Sequence, residues 1–260
     1  MARYRRFAMT SVLETHGLTK RFGGIVVADD INLTLSAKRI VGLIGPNGAG
    51  KTSLFNLLTG VEKPDAGSII FGGKSLADVR MHERARLGLS RTWQNLRLFP
   101  SLTLLDNLLV APRHYPGESL FTLLLKPGAV KRADQANREK AMAVLEHIRL
   151  ADLAQSPATD LTFGQQKLAG VARALMNDAR CLLLDEPMAG VEGQTYKTMQ
   201  TVVRDVAESG VAVCVVEHNV AFIRDLCDEG IFMFSGKILA RGSVDELIAD
   251  PRLTELYFGT

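Results

Sequence analysis

Long apolar runs, paired cysteines and a strong charge bias are all missing from this sequence of 260 residues. No apolar run approaches the roughly 18–20 residues that a membrane span needs, so we expect any membrane role to come through a partner. The three cysteines, Cys181, Cys214 and Cys227, form no C-x-x-C pair, which predicts buried thiols in a reducing compartment rather than disulfides or a zinc site. The net charge of +3 is too small to indicate nucleic-acid binding by itself.

The composition that remains is typical of a folded globular chain. Apolar residues make up 47% and charged residues 23%, which excludes disordered and collagen-like classes. The length suits one large domain or one domain with an inserted lobe. Residues 1–9 are basic and have no apolar segment behind them, so we expect a tail rather than a signal peptide.

The two ends of the sequence carry the pattern of an α/β core. Residues 10–92 begin with alternating, half-buried strands, which indicates an antiparallel β part, and then give a strand, a glycine-rich loop and a helix. Residues 166–260 place helices around two strands, at 181–185 and 211–216, which are apolar except for the terminal Asp185, and end in a hairpin and a helix. Apolar strands that alternate with helices predict a parallel sheet covered on both faces.

The middle of the sequence, residues 93–165, interrupts this alternation and is predicted to be an inserted helical region. Four apolar residues recur there at helical spacing, on one face of an otherwise charged segment: Ala141, Val144, Leu145 and Ile148.

A glycine-rich loop between a predicted strand and a predicted helix carries the strongest chemical signal. The sequence G-P-N-G-A-G-K-T at 45–52 fits the pattern G-x-x-x-x-G-K-[ST]. The glycines let backbone N–H groups surround phosphate oxygens, Lys51 reaches the β- and γ-phosphates, and the Thr52 hydroxyl is placed to bind Mg²⁺. We therefore expect a nucleoside triphosphate to be bound here, by Gly45, Pro46, Asn47, Gly48, Ala49, Gly50, Lys51, Thr52 and Ser53.

A P-loop needs a second, acidic element on a neighbouring strand. Asp185 and Glu186 provide it, directly after the apolar residues at 181–184. We expect Asp185 to hold the Mg²⁺ and Glu186 to polarise the attacking water as a general base.

Three further motifs occur in a fixed order around these two. They are Gln94 in S-R-T-W-Q at 90–94, the sequence L-T-F-G-Q-Q at 161–166, and His218 after the second apolar strand. With the P-loop and the acidic pair, this order resembles that of the ATP-binding subunits of ABC transporters over about residues 10–258. The resemblance implies an α/β fold with a P-loop (RecA-like) core, an antiparallel β subdomain and an inserted helical subdomain, and it implies hydrolysis of ATP with Mg²⁺.

The resemblance also implies roles for residues that no local pattern singles out. Phe22 would stack on adenine, Gln94 would sense Mg²⁺ and the attacking water as a metal-site and catalytic residue, and His218 would contact the γ-phosphate and orient water. The alternatives are that Phe22 is a core aromatic and that His218 is a structural histidine at a strand end.

Members of the family work as sandwich dimers, in which each ATP lies between the P-loop of one subunit and the signature motif of the other. Thr162, Gly164 and Gln165 would accordingly be nucleotide-binding residues across that interface, although Thr162 by itself is also a good helix N-cap. The sequence departs from the family pattern at Phe163, where glycine is usual, and at Glu192, where aspartate is usual.

Finer features resemble the ATP-binding subunits of branched-chain amino acid importers. They are the aromatic residue in the signature, the sequence R-T-W-Q-N at 91–95, the polar insert at about 113–138 and D-P-R at 250–252. This resemblance implies membrane permease subunits, a second ABC ATPase subunit or a homodimer, and indirectly a periplasmic or extracellular solute-binding protein. It places the chain peripherally on the cytoplasmic face of the inner or plasma membrane, with no nucleic-acid partner.

The apolar residues after Gln94 are a candidate docking surface for a permease helix: Leu96, Leu98, Phe99 and Leu102. They could equally form the core of the helical lobe. Other functions also stay open, namely a urea or amide importer, a soluble ABC ATPase acting on ribosomes or DNA, and a regulator that does not hydrolyse nucleotide. The length of 260 residues argues against the soluble ATPase, and the intact Asp185–Glu186 pair argues against the regulator.

Overall fold

The structure, a computed structural model, describes residues 11–92, 98–112 and 115–258. In chain order its strands are β1 (Ser11–Phe22), β2 (Ile25–Ile31), β3 (Thr34–Ser36), β4 (Ile40–Ile44), β5 (Ala66–Phe71), β6 (Lys74–Ser75), β7 (Leu89–Arg91), β8 (Cys181–Asp185), β9 (Ala212–Val216), β10 (Glu229–Phe234) and β11 (Lys237–Gly242). Its α-helices are α1 (Lys51–Thr59), α2 (Met81–Leu87), α3 (Leu104–Leu109), α4 (Leu120–Leu125), α5 (Pro127–His147), α6 (Phe163–Met176), α7 (Gly193–Glu208), α8 (Val220–Leu226), α9 (Val244–Ala249) and α10 (Pro251–Phe258).

The chain packs into two units. Of the described residues, the first unit takes those within Met1–Arg91, Arg180–Glu186 and Val203–Thr260, and it contains both β-sheets. The second consists of Thr92–Ala179 and Pro187–Val202. A boundary at residue 165, as expected from the sequence, would fall inside α6, because that helix begins at Phe163.

A six-stranded sheet forms the centre of the first unit, in the order β11-β10-β4-β9-β8-β7. Neighbouring strands from β10 to β7 are parallel, and only β11 runs antiparallel, as the partner of β10. Every residue of β4, β8 and β9 is buried, as expected of strands covered on both faces. Because parallel strands end at the same edge of a sheet, the loops after β4, β8 and β9 share one edge.

The second sheet of this unit is antiparallel and follows the order β2-β1-β5-β6, with β3 also paired to β1. The apolar residues that alternate along β1, such as Leu13 and Leu18, join one buried cluster with those of α1, including Phe55. The predicted antiparallel β part and the predicted parallel sheet are thus both present.

The second unit is helical. Helix α3 packs against α5 and α6, and Ala141, Leu145 and Ile148 on the predicted apolar face are fully buried. A buried amide orders the segment before α3, since Asn107 accepts a hydrogen bond from the Phe99 N–H at 2.8 Å and donates to the Phe99 carbonyl at 3.1 Å.

In the ranges that the structure describes, none of the helices is both long enough and apolar enough to cross a bilayer. Cys181 and Cys214 are buried and Cys227 is half-buried, and all three are free thiols. Burial raises the pKa of Cys181 and of Cys227 to about 12, so these thiols stay protonated at neutral pH, as the sequence predicts for cysteines that act as small apolar residues.

Candidate nucleotide-binding and hydrolysis site

The P-loop occupies the turn between the end of β4 at Ile44 and the start of α1 at Lys51. Its glycines are required by close backbone contacts. A Cβ atom on Gly45 would lie 2.0 Å from the Met233 carbonyl oxygen, and one on Gly50 would lie 2.3 Å from the Val27 carbonyl oxygen. Gly50 also has a φ of 101°, which only glycine adopts without strain. The backbone of the loop is therefore restricted to a narrow conformation between β4 and α1.

The first turn of helix α1 has free backbone N–H groups and no negative charge, as a phosphate-binding site requires. No side chain caps its first turn, which contains no acidic residue. The first N–H groups of a helix have no partner within the helix, and the helix dipole places partial positive charge there. An uncapped helix N-terminus behind a glycine-rich loop is therefore suited to hold anionic phosphate oxygens.

Lys51 is buried at the start of this helix and braces the loop from within. Its Nζ donates hydrogen bonds to the carbonyl oxygens of Gly45 at 2.6 Å and of Pro46 at 2.9 Å. Burial lowers the pKa of Lys51, and the charges of Glu186 and Asp185 oppose that shift. The ammonium group and both carboxylates thus lie within electrostatic reach of one another.

Asp185 ends β8 and is held by an arginine. The Arg91 Nη2 donates to the Asp185 Oδ2 at 2.7 Å, and its Nη1 donates to the Asn56 Oδ1 at 2.7 Å. The guanidinium also lies over the Phe55 ring, 5.4 Å from its centroid. Arg91 therefore links the acidic strand to α1. Sequence reasoning missed this role, although Arg91 stands three residues before Gln94 in a motif that it singled out.

Glu186 follows Asp185 in a strained backbone conformation. Its φ of 48° lies in the left-handed region, which non-glycine residues rarely adopt. The Glu186 N–H donates to the Val216 carbonyl oxygen at 2.9 Å, which fixes this turn to the end of β9. There the Glu186 Oε1 lies 3.2 Å from the Nε2 of His218. The structure thus brings together two residues that are 32 positions apart and that the sequence assigned to hydrolysis.

The oxygen donors at this edge fit a small divalent cation. The Thr52 side chain is exposed in the first turn of α1, and Asp185 contributes a carboxylate at the end of β8. Mg²⁺ prefers oxygen ligands and is usually held by only one or two protein groups together with substrate phosphates and water. No cluster of three or more His, Cys, Asp or Glu side chains suited to a metal occurs in the described part of the chain. Gln94, the other predicted metal-site residue, lies outside the described residues.

Phe22 ends β1, next to the turn that leads into β2. Its side chain is 45% exposed, so it is not a core aromatic. The Lys20 Nζ lies 5.2 Å from the centroid of the ring. An exposed aromatic face is available for stacking, and contact with adenine stays a prediction.

The signature motif forms the N-terminus of α6, in the second unit. Thr162 is the N-cap. Its hydroxyl oxygen accepts from the Gln165 N–H at 3.3 Å, and the Gln165 side chain accepts from the Thr162 N–H at 2.8 Å. Gly164 is buried, and a Cβ atom there would lie 3.0 Å from the Thr195 methyl carbon. Thr162 is therefore a helix N-cap, the alternative that its residue type indicated. Because the cap uses only the hydroxyl oxygen, the hydroxyl hydrogen can still donate to a ligand.

Comparison with known proteins identifies the family. Residues 28–189 match the model of the ABC transporter family. The chain is 35% identical to the high-affinity branched-chain amino acid transport ATP-binding protein BraF of Pseudomonas aeruginosa, over 95% of this chain and 98% of that protein. It is likewise 35% identical to the probable branched-chain amino acid transport ATP-binding protein LivG of Archaeoglobus fulgidus, over 95% of each chain.

A solved structure agrees with these matches. The ADP conformation of MJ1267, an ATP-binding cassette of an ABC transporter, superposes with a TM-score of 0.81 at 29% identity and covers 96% of this chain and 99% of that one. The chain belongs to the ABC transporter family and is an ABC-type ATPase. The predicted family and the predicted α/β P-loop fold are both confirmed.

Proposed function

We propose that this chain binds and hydrolyses ATP to drive an importer of branched-chain or other hydrophobic amino acids. The observation that carries hydrolysis is the 3.2 Å contact between Glu186 and His218, at the sheet edge that also holds Lys51. The transport part is supported by the similarity to BraF and LivG along 95% of the chain.

Nucleotide binding uses the P-loop as a ready-made anion site. The backbone N–H groups of residues 47–53 surround the phosphates, and Lys51 turns from its two carbonyl partners towards the β- and γ-phosphates. Its charge is costly to bury, as the lowered pKa indicates, so a bound polyanion relieves that cost. The exposed ring of Phe22 provides the face on which the adenine stacks.

Thr52 and Asp185, with Gln94, hold the Mg²⁺ that accompanies the nucleotide. When bound, this ion neutralises charge on the β- and γ-phosphate oxygens. The chain's part is to fix the oxygen donors. The Thr52 hydroxyl is carried by the first turn of α1, and the Asp185 carboxylate is set by its hydrogen bond from Arg91.

Glu186 acts as the general base. Its carboxylate takes a proton from the attacking water as the water oxygen bonds to the γ-phosphorus and the bond to the bridging oxygen breaks. His218 touches the same carboxylate and orients it towards that water. The left-handed backbone at Glu186, tied to Val216, keeps the base in place before the substrate arrives.

Replacing Glu186 with Gln tests hydrolysis directly. The amide keeps the shape of the side chain but accepts a proton far less readily, so we expect ATP binding to persist while turnover falls by about 10²–10⁴-fold. Phosphate release by the assembled transporter and retention of labelled ATP measure the two effects. Glu208→Gln makes the same chemical change at an exposed residue of α7 and serves as the control. Unchanged turnover in Glu186→Gln would show that another group is the base.

Permease coupling is tested at Phe99. This side chain is exposed, whereas Leu98 and Leu102 are half-buried and Leu96 lies outside the described residues. A charge at an apolar contact is costly, so Phe99→Asp should bind ATP normally but lose copurification with membrane permeases and lose leucine uptake. Ala136→Asp, at an exposed position on α5, controls for the added charge. Copurification of Phe99→Asp at the wild-type level would exclude this contact.

Mass spectrometry of the wild-type complex from detergent-solubilised membranes addresses the partners. We expect two polytopic permeases and a second, different ATPase. Uptake assays with labelled leucine and labelled urea distinguish the amino-acid importer from a urea or amide importer. Ribosomal or DNA-bound partners would overturn transport and leave the ATPase assignment in place.

A further inference from the structure

Helix α4 presents an apolar surface that the rest of its unit does not cover. None of its residues is buried, and Leu120, Phe121 and Leu124 are 78%, 71% and 77% exposed. Isolated exposed apolar residues are common on soluble proteins, but contiguous ones mark contact sites. In this helix five exposed apolar residues are adjacent or nearly so: Leu120, Phe121, Leu123, Leu124 and Leu125.

The segments that flank α4 are fixed by hydrogen bonds and packing. The Ser119 hydroxyl accepts from the Thr122 N–H and caps α4, and Pro127 begins α5 directly behind it. The segment before α4 is tied to α5, because the Tyr115 hydroxyl donates to the Asp134 carboxylate at 2.6 Å. Helix α5 in turn buries residues such as Val130 on its inner side. The segments on both sides of α4 are therefore held in place by hydrogen bonds and by the packing of α5, while the leucines of α4 stay exposed.

Cations outnumber carboxylates next to this helix, where the acidic residues are Glu118 and Asp134, the second of them hydrogen-bonded to Tyr115. Between residues 119 and 133 the sequence contains Lys126, Lys131 and Arg132 and no acidic residue. All three cationic residues are exposed. The Arg132 Nη1 lies 3.9 Å from where a Cβ atom on Gly128 would stand, so the guanidinium sits beside the junction of α4 and α5. The α4 surface, defined as the five apolar residues of α4 with these three cations, thus complements an anionic partner.

The shape of the apolar face indicates what that partner is. At 100° per residue, the five apolar positions span about 200° of the helix circumference. A helix that docks in a protein groove uses anchors at i, i+3, i+4 and i+7, and the six residues of α4 are too few to supply the last of these. A wide apolar face flanked by cations is instead the form in which helices lie at the boundary between lipid headgroups and acyl chains.

We propose that the α4 surface inserts into the interface of an anionic lipid bilayer. Leu120, Phe121 and Leu124 enter the acyl boundary, and the cations stay among the anionic headgroups. This lipid contact goes beyond the proposed function, which needs only the contact of the chain with its permeases. Protein-free vesicles therefore test it separately from ATP hydrolysis and from permease binding.

The test is flotation of the full purified chain with vesicles of phosphatidylcholine, with and without added phosphatidylglycerol. We expect the wild type to float with the anionic vesicles and much less with the neutral ones. Phe121→Gln/Leu124→Gln should lose flotation, while Val110→Gln/Leu239→Gln, at other exposed apolar sites, should keep it. Changing Lys126, Lys131 or Arg132 to Gln should weaken binding to anionic vesicles about fivefold for each charge, and high salt should have a similar effect.

Equal melting temperatures of the variants would establish that a loss of flotation is not a loss of fold. The proposal is overturned if the wild type floats with neither vesicle or if Phe121→Gln/Leu124→Gln floats like the wild type. It is also overturned if light scattering shows that this surface joins two copies of the chain. Copurification with permeases that depends on Phe121 and Leu124, without any flotation, would identify a protein partner and likewise exclude the bilayer.

Discussion

Arg91 and Asp185 form an ion pair that is almost fully withdrawn from water, with 4% and 3% of their side chains exposed. Removing two charges from water costs free energy that their attraction only partly returns, so such a pair is weak evidence for stability. The ion pair instead fixes the position of the end of β8 relative to α1. The guanidinium bonds to Asp185 and to Asn56 on α1, and it thereby sets the acidic strand end against the helix that follows the P-loop.

Removing one partner of this pair should be far more costly than removing both. We expect Arg91→Met to lower the free energy of unfolding by about 3 kcal/mol, because the Asp185 carboxylate loses its cationic partner inside the protein. Adding Asp185→Asn to that variant should restore part of the loss, and urea unfolding of both variants measures it. Arg80→Met, which breaks an exposed pair with Glu83, should cost less than about 1 kcal/mol. A loss below about 1 kcal/mol in Arg91→Met would contradict this account.

The same residues show which parts of the site can be predicted from the sequence. The P-loop could be found because its chemistry lies within eight consecutive positions, 45–52. Arg91 could not, because its partners are Asn56 and Asp185, and its role exists only once strands and helix have packed. Glu186 was found by its place after Asp185, but its left-handed backbone depends on the bond to Val216 and has no sequence signal.

At the scale of elements, the strongest patterns gave the best boundaries. Strand β8, Cys181–Asp185, has the bounds that its apolar run indicates. Helix α6 begins at Phe163, because the capping box of Thr162 and Gln165 starts it there. The three-residue strand Leu89–Arg91 was missed, since it is too short to show a period and is defined by its pairing with β8.

The N-terminus of α6 combines a structural and a chemical role in one side chain, and substitutions can separate them. Thr162→Ala removes the cap and should lower the free energy of unfolding by about 1 kcal/mol. Thr162→Asp keeps a good cap and should retain stability, but its carboxylate repels the γ-phosphate, so ATPase activity should fall in both variants. Thr162→Ser should preserve stability and activity. Denaturant unfolding and phosphate release measure the two properties, and full activity in Thr162→Asp would exclude a phosphate contact.

For the complete chain, the family pattern implies a part in two different ATP sites. The chain contributes its P-loop to one site and its signature motif to the other. Lys51 with the P-loop would bind a nucleotide whose γ-phosphate is also contacted by Thr162 and Gly164 of another subunit. The uncapped first turn of α1 and the capped first turn of α6 differ in a way that suits this division. The first leaves backbone donors for phosphate, and the second offers a hydroxyl hydrogen that the cap does not use.

Mixing two inactive variants tests whether the site needs two chains. Lys51→Ala disables the P-loop and Thr162→Asp disables the signature, so each homodimer lacks any complete site. A mixed dimer has one intact P-loop facing one intact signature, and we expect part of the wild-type phosphate release to return on mixing. If the chain pairs only with a second ATPase subunit, mixing restores nothing, and each variant paired with that subunit should keep one complete site. Specific activity of the wild-type chain that is independent of its concentration, with no rescue in either arrangement, would contradict a shared site.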